Sequence, residues 1–150
     1  MRAKIIDEMA PRTWALVFDT GDEVIGPLTQ FATLHQLAAA RFTAIGAFSQ
    51  ATLGYFDWQK KDYARIPIGE QVEVLSLVGD VALDGGQPKI HAHVVVGKRD
   101  GSAHGGHLLD ARVRPTLEVM LVESPARLSR VFDPVSGLAL IEIDPAHVQR

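Results

Sequence analysis

Residues 90–109 read IHAHVVVGKRDGSAHGGHLL. Four of these residues are histidines, and three of them, His91, His93 and His107, form the pattern of interest. The β-branched run that follows the first pair is typical of a strand, and alternate side chains of a strand share a face, so His91 and His93 point the same way. Residues 98–101 supply a turn, with Asp-Gly as its strongest signal, and residues 102–108 return as a second strand. The pattern therefore predicts two neighbouring strands that carry His107 back beside the first pair.

Three neutral imidazoles can hold zinc and leave a fourth coordination position open for water or substrate. We therefore interpret His91, His93 and His107 as ligands of a divalent metal, with zinc as the expected ion. The glycine pair before His107 allows backbone conformations or a close approach that a Cβ would block. His104 is a further candidate metal ligand. In a regular strand it faces away from His107, but a bulge at the glycines would turn both histidines to the same face. The opposing interpretation is that His-x-His is only the polar outer face of a strand.

The composition limits the class of protein. The chain has 150 residues, which suits one domain, and we expect a single domain over residues 1–150 with its core at about 13–144. A net charge of −3 is not typical of a protein whose main role is to bind the phosphate backbone of nucleic acids. The absence of cysteine excludes disulfide bonds and thiolate metal sites. No apolar run approaches a membrane span and no signal-peptide core is present, so we expect a cytoplasmic protein without a membrane partner.

One helix early in the chain is followed by strands. Thr13–Asp19 has the pattern of a strand, and an apolar stripe at helical spacing predicts a helix over residues 26–41. Later segments have strand character: 42–48, 51–57, 63–66, 71–78, 90–96, 102–108, 111–123, 126–132 and 138–143. Pro115 indicates an edge or a bulge in its strand. The order of elements predicts an α+β fold, a mostly antiparallel sheet with one main helix packed on it.

Two carboxylates and two arginines are candidates for chemistry beside the metal. Glu73 shares one predicted strand face with Leu75 and Leu77. A carboxylate on an otherwise apolar face indicates an ion pair, a polar site or a subunit contact. Glu73 and Glu118 are the candidates for a general base if the protein is an enzyme. Arg112 and Arg114 share a face if their strand is regular. They either pair with these carboxylates or bind an anionic ligand near the metal.

Five stretches together resemble the PPC ("plants and prokaryotes conserved") domain: residues 44–49, 53–57, 69–77, 91–93 and 105–108. The resemblance extends from about residue 17 to residue 143. Its most telling part is Gly-Gly-His-Leu at 105–108, in which a glycine pair and a histidine are followed by the first residue of the apolar pair Leu108-Leu109.

The resemblance implies an α+β fold assembled as a homotrimer, with a metal site near a subunit boundary formed by histidines that match His91, His93 and His107. Plant members bind DNA chiefly through an AT-hook and use the PPC domain for self-association and partner binding. This chain lacks the Arg-Gly-Arg-Pro core of that hook. Residues 69–75 match the plant Gly-Arg-Phe-Glu-Ile-Leu motif only loosely, so they give weak support for carrying over the partner binding of that motif.

Three functions from different classes follow. The first is a homotrimeric three-histidine metal-binding module that binds a small anionic ligand or regulates, without turnover. The second is a metal-dependent hydrolase or lyase acting on a small substrate, and the third is DNA binding in the manner of the plant relatives. We favour the first, because the sequence identifies no general base. A carboxylate in a pocket beside the metal would favour the enzyme instead.

Overall fold

The computed structural model describes residues 1–7 and 11–143, with side chains described for residue 1 and residues 11–143. Within that part of the chain lie nine strands and one helix. Their bounds are β1 Arg2–Asp7, β2 Thr13–Asp19, α1 Ile25–Leu34, β3 Ala39–Asp57, β4 Asp62–Ile68, β5 Val72–Asp84, β6 Gln87–Gly97, β7 Ala103–Glu123, β8 Ser129–Asp133 and β9 Leu138–Glu142. The predicted α+β class, with a mostly antiparallel sheet and one helix, is confirmed.

Four central strands form a closed cycle of antiparallel pairings. β3 pairs with β5, β5 with β6, β6 with the beginning of β7, and β7 returns to β3. The cycle closes because β3 and β7 are long, at 19 and 21 residues, and pair with different partners along their lengths. Register shifts in the β3–β7 ladder supply the bends that such closure requires.

The remaining strands extend this cycle. β1 and β2 continue the sheet beyond the second half of β7, and β4 pairs with the end of β3. The β8–β9 hairpin joins β5 through a short parallel pairing at Leu83 and Asp84. It thereby lies near β6, the strand that carries two of the three histidines.

The core lies between helix α1 and one face of the sheet. Helix residues Leu28 and Phe31 are buried there, together with Ala92, Val94 and Val96 of β6. Because strand side chains alternate, the other residues of β6, which include His91 and His93, point to the opposite side. We call that side the outer face of the sheet.

The helix is shorter than the pattern predicted. It begins at Ile25, where the Glu23 carboxylate accepts hydrogen bonds from two amides of the first turn, and it ends at Leu34. Gln36 then takes a positive φ of 53°, and β3 begins at Ala39. The prediction that the helix continues to residue 41 is therefore wrong. Leu34, which the pattern placed within the apolar stripe, is 78% exposed, so that part of the prediction is also wrong.

Two pairs of predicted strands are single long strands. Residues 42–48 and 51–57 both belong to β3, and residues 102–108 and 111–123 both belong to β7. Between them, β3 is bulged against β7 rather than turned, so the chain bends without leaving the sheet. Pro115 follows a cis peptide bond at one of these register shifts, as its position within a strand predicted.

A bulge in β5 changes the predicted environment of Glu73. The register with β6 shifts between Val74 and Ser76, which makes Leu75 the extra residue. Consequently Val74 and Leu77 are buried together, while Glu73 and Leu75 are exposed. The predicted common face of Glu73 and the two leucines is wrong, and the exposed carboxylate needs no buried partner.

The bend in β3 depends on Gly46. Its φ is +149°, and an added Cβ would lie 2.3 Å from the carbonyl oxygen of Thr116 and 2.8 Å from Leu117 Cα. Because these are backbone atoms, no rotamer change relieves the clash. We expect Gly46→Ala to lower the free energy of unfolding by about 2–4 kcal/mol in urea denaturation. The control is Gly69→Ala, whose added Cβ meets no heavy atom within 4 Å; equal losses for both variants would contradict this account.

Candidate metal centre

The β6–β7 ladder brings the predicted histidines together on the outer face. His93 lies directly opposite His107 in the β6–β7 ladder, and His91 is two residues along β6 on the same face. The three pairs of ring centroids lie 5.1, 5.1 and 5.4 Å apart. One nitrogen from each ring lies within 4.8 Å of the nitrogens of the other two. The structure thus forms one three-imidazole cluster from two separate strands.

His104 is not part of this cluster. The β6–β7 register runs without a shift from residue 103 to His107, so the glycine pair does not form a bulge in this ladder. His104 therefore lies opposite Val96, which is buried on the inner face. The glycines serve close approach instead, since a Cβ on Gly106 would lie 2.8 Å from the carbonyl oxygen of Gly54.

A carboxylate that the sequence analysis missed lies behind His91. Asp80 is the direct cross-strand partner of His91, and its Oδ2 lies 3.7 Å from His91 Nδ1. Its Oδ1 accepts a hydrogen bond from the guanidinium of Arg130, in strand β8. A carboxylate on one nitrogen of an imidazole orients the ring and directs the other nitrogen toward a metal.

The ring of Tyr63, in β4, packs against the ring of His107. The two rings stack with centroids 4.6 Å apart and an interplanar angle of 26°. His107 Nδ1 is buried and has no hydrogen-bond partner among the described residues. A buried nitrogen without a partner is costly unless a ligand satisfies it, so this atom indicates an incomplete site.

Two rings of the cluster, those of His91 and His107, are held in the uncharged form. Burial, followed by repulsion from His91 and His93, lowers the pKa of His107 to about 4. Burial also lowers the pKa of His91; Asp80 opposes this shift, whereas Arg130 and His93 add to it. Metal ions bind the neutral imidazole, so both rings present free lone pairs at neutral pH.

A cavity of about 180 Å³ opens beside the cluster. Two of the histidines, His91 and His107, form one side of it. The other lining residues come from β4, β6 and the β8–β9 hairpin: Tyr63, Lys89, Ile90, Arg130, Leu138, Ala139 and Leu140. A molecule in this cavity would lie between the hairpin and the face of a metal held by the histidines.

The other predicted site residues do not line this cavity. Glu73 lies opposite Gly97 at the end of β6, and Glu118 is paired with Val17 and Ile45. The Arg112 guanidinium donates a hydrogen bond to the Gly21 carbonyl, and Arg114 is exposed next to the cis peptide bond. Their catalytic and anion-binding roles stay predictions, and the cations beside the histidines are Lys89 and Arg130.

Residues 7–125 match the family model of the Plants and Prokaryotes Conserved (PCC) domain, which is 119 of the 150 residues. The chain belongs to this family. The resemblance to the PPC domain seen in the sequence is thereby confirmed. The β8–β9 hairpin, which supplies four of the residues that line the cavity, lies beyond the part that the PCC model matches.

Solved structures of PCC relatives share the fold over nearly the whole chain. A plant- and prokaryote-conserved protein from Pyrococcus horikoshii is 33% identical, with a TM-score of 0.83 over 88% of this chain and 92% of that chain. A metal-containing protein from Archaeoglobus fulgidus is 34% identical, with a TM-score of 0.82 over 93% and 99%. A candidate DNA-binding protein from Ralstonia eutropha is 31% identical, with a TM-score of 0.82 over 87% and 91%.

A curated relative is much longer than this chain. It is a bifunctional GlmU protein from a Synechococcus strain, 33% identical over 136 residues. The match includes 89% of this chain but spans only 21% of the length of that protein.

In the described residues, no helix is long and apolar enough to cross a membrane.

The lowered pKa of His107 predicts a pH dependence of folding. In metal-free protein the unfolded state takes up a proton near pH 6.5, whereas the folded state does so only near pH 4. Stability from this residue is therefore present above pH 6.5 and lost as the pH falls toward 4. We expect the urea midpoint of wild-type protein to fall further than that of His107→Gln between pH 7 and 4.5, with EDTA present in both. Parallel loss in the two proteins would show that His107 is not kept neutral by the fold.

Proposed function

We propose that this PCC-domain protein binds one divalent metal ion, zinc in the first instance, through His91, His93 and His107, and presents it to a ligand in the adjoining cavity. The observation that carries the proposal is the convergence of three ring nitrogens within 4.8 Å, with Asp80 behind one ring. The relative from Archaeoglobus fulgidus, which is described as metal-containing, supports the same assignment.

The residues fit such an ion. Zinc binds imidazole nitrogen at 2.0–2.1 Å, which places two ligands of a tetrahedral site ~3.4 Å apart. The nitrogens at up to 4.8 Å reach that spacing by small rotations of the three rings. Nitrogen donors suit zinc, copper, iron or nickel, and the chain contains no thiolate to compete. With three protein ligands the bound ion would keep an open position and supply Lewis acidity to what binds there.

Binding without turnover is the better supported form of this function. No aspartate or glutamate is among the residues that line the cavity in the described part of the chain. The carboxylate behind His91, that of Asp80, accepts a hydrogen bond from Arg130. A hydrolase or lyase would need a general base within reach of its substrate, so the metal-dependent enzyme is the second candidate.

DNA binding is the third candidate, and its support comes from the description of the Ralstonia eutropha relative. The net charge of −3 opposes it, because nonspecific binding to DNA rests on neutralising phosphates with lysine and arginine. We therefore place DNA binding below metal and ligand binding for this chain.

We also propose that the protein assembles as a homotrimer through the outer face. Four apolar side chains there are 63%, 49%, 40% and 44% exposed: Ile45, Val78, Val95 and Met120. Val78 and Met120 flank the same residue of β3, and Val78 lies opposite His93 in the β5–β6 ladder. An apolar patch on the face of a sheet indicates an interface. If two further copies of the chain pack on this patch, the interface between subunits lies beside the histidines.

The metal assignment is tested by elemental analysis of untagged protein. We expect about one zinc per chain in the wild type and a loss of at least tenfold in the bound fraction for His93→Ala, because two imidazoles rarely retain zinc. The matched control is His104→Ala, which removes an imidazole from the other face of the same hairpin. Unchanged metal content in His93→Ala, or equal loss in both variants, would reject the assignment.

The trimer is tested by light scattering of the purified protein. Three chains of 16.3 kDa give about 49 kDa, and we expect Val78→Asp to lower this mass because a charge would be buried in the interface. Leu34→Asp, at an exposed helix position, should leave the mass unchanged. Circular dichroism would establish that both variants are folded. A monomeric wild type would contradict the proposed assembly.

A further inference from the structure

The cavity beside the histidines has a buried cation as part of its wall. The side chain of Arg130 is only 7% exposed, although arginine is rarely buried without full pairing. One terminal nitrogen donates to Asp80 and the other to the Ala139 carbonyl. Arg130 Nε is buried and lacks a hydrogen-bond partner among the described residues. The guanidinium therefore has donors left over in a site from which water is largely excluded.

The cavity wall contains a second cation. Lys89 also lines it, and its ammonium group pairs with Asp84 at 2.8 Å in a solvent-exposed ion pair. Exposed pairs of this kind contribute little, so Lys89 is able to turn to another anion at small cost. Asp80 and Asp84 together balance the two cations, and a divalent ion on the histidines would leave the region with an excess of positive charge.

The rest of the wall is apolar and the space is small. Ile90, Leu138 and Leu140 face the cavity, together with the ring of Tyr63. A volume of about 180 Å³ is below the ~300–1,000 Å³ of sites for drug-sized ligands. Apolar walls around a few convergent polar groups suit a small molecule with a hydrocarbon part and one charged end, in preference to a hydrated inorganic anion.

We infer that this cavity binds a small organic carboxylate. The carboxylate group receives hydrogen bonds from Arg130 and is attracted by Lys89, while its short hydrocarbon part lies against the two leucines of β9. Arginine is suited to this task because its planar fork matches the geometry of a carboxylate. The other end of the ligand then faces His91 and His107. This inference names the ligand class of the proposed metal site. It rests on that proposal in one respect, namely that the end of the ligand away from the carboxylate contacts a metal ion.

The β8–β9 hairpin supplies part of this site. It contributes Arg130 and two leucines of the apolar wall. Lys89, Ile90 and Tyr63 also line the cavity and lie, like the histidines, within the residues that match the PCC model.

The experiment is isothermal titration of zinc-loaded and EDTA-treated protein with butyrate, with butyramide as the uncharged isostere and inorganic phosphate as the second anion. We expect butyrate to bind, butyramide and phosphate to bind at least tenfold more weakly, and removal of zinc to weaken butyrate without abolishing it. Phosphate binding as tightly as butyrate, or butyramide binding equally well, would overturn the carboxylate assignment.

Three variants make the test specific. Arg130→Met and Lys89→Met should each weaken butyrate at least tenfold, in line with loss of a charged hydrogen bond or a close charge. Arg99→Met is the matched control, since it removes an exposed arginine of the turn between β6 and β7 that does not line the cavity. Lys89 is exposed, so its variant remains informative if Arg130→Met is poorly folded. Wild-type affinity in Lys89→Met and in folded Arg130→Met would overturn the inference.

The outcomes also separate the two proposals. Stoichiometric zinc without butyrate binding would reject the carboxylate site and leave the metal site intact. Butyrate binding that depends on Arg130 in a protein that never retains zinc would reject the metal site and support the carboxylate site.

Discussion

The register of strand β6 is the constraint on which the candidate site depends. On one side, the two-residue turn Gly85-Gly86, with both φ values positive, pairs Asp84 with Gln87 and so places His91 opposite Asp80. On the other side, the turn closed by the Lys98 amide and the Ser102 carbonyl places His93 opposite His107. A slip of one residue in either ladder would send the imidazoles to the opposite face.

Packing on the inner face keeps this register in place. Ala92, Val94 and Val96 alternate with the histidines and are 2%, 2% and 0% exposed. Burial of a valine stabilises the fold by ~1.5–3 kcal/mol, so a slip that exposed two valines and buried two imidazoles would cost several kcal/mol. The hydrophobic core thus positions polar side chains that it never touches. The same alternation leaves the histidine cluster and the apolar patch on the outer face.

Local signals in the sequence were enough to predict the histidine cluster. The alternation of side chains in a strand placed His91 and His93 on one face, and the Asp-Gly turn placed His107 on the neighbouring strand. Both predictions depend on residues that are close together in the chain. Asp80 was equally accessible, because counting back from the Gly85-Gly86 turn pairs it with His91. It was missed because no residue type marked it as part of a site.

Other features depend on contacts that no local pattern records. The bulge at Leu75 reversed the alternation in the rest of β5, so that Leu77 is buried while Glu73 is exposed. The helix ended early because residues 39–41 are needed as the start of β3. Arg130 lies 39 positions after His91 in the sequence and reaches the site only because β8 pairs with the end of β5. These corrections show that the cluster is set by short hairpins, whereas its surroundings are set by the global topology.

The central claim is that the three imidazoles share one ion. Its most direct test is anomalous diffraction at the zinc absorption edge from crystals of the untagged protein. The account predicts a single strong peak per chain, about 2.1 Å from one nitrogen of each of His91, His93 and His107. A peak elsewhere in the chain, or rings that point apart in a zinc-containing crystal with no peak between them, would contradict it.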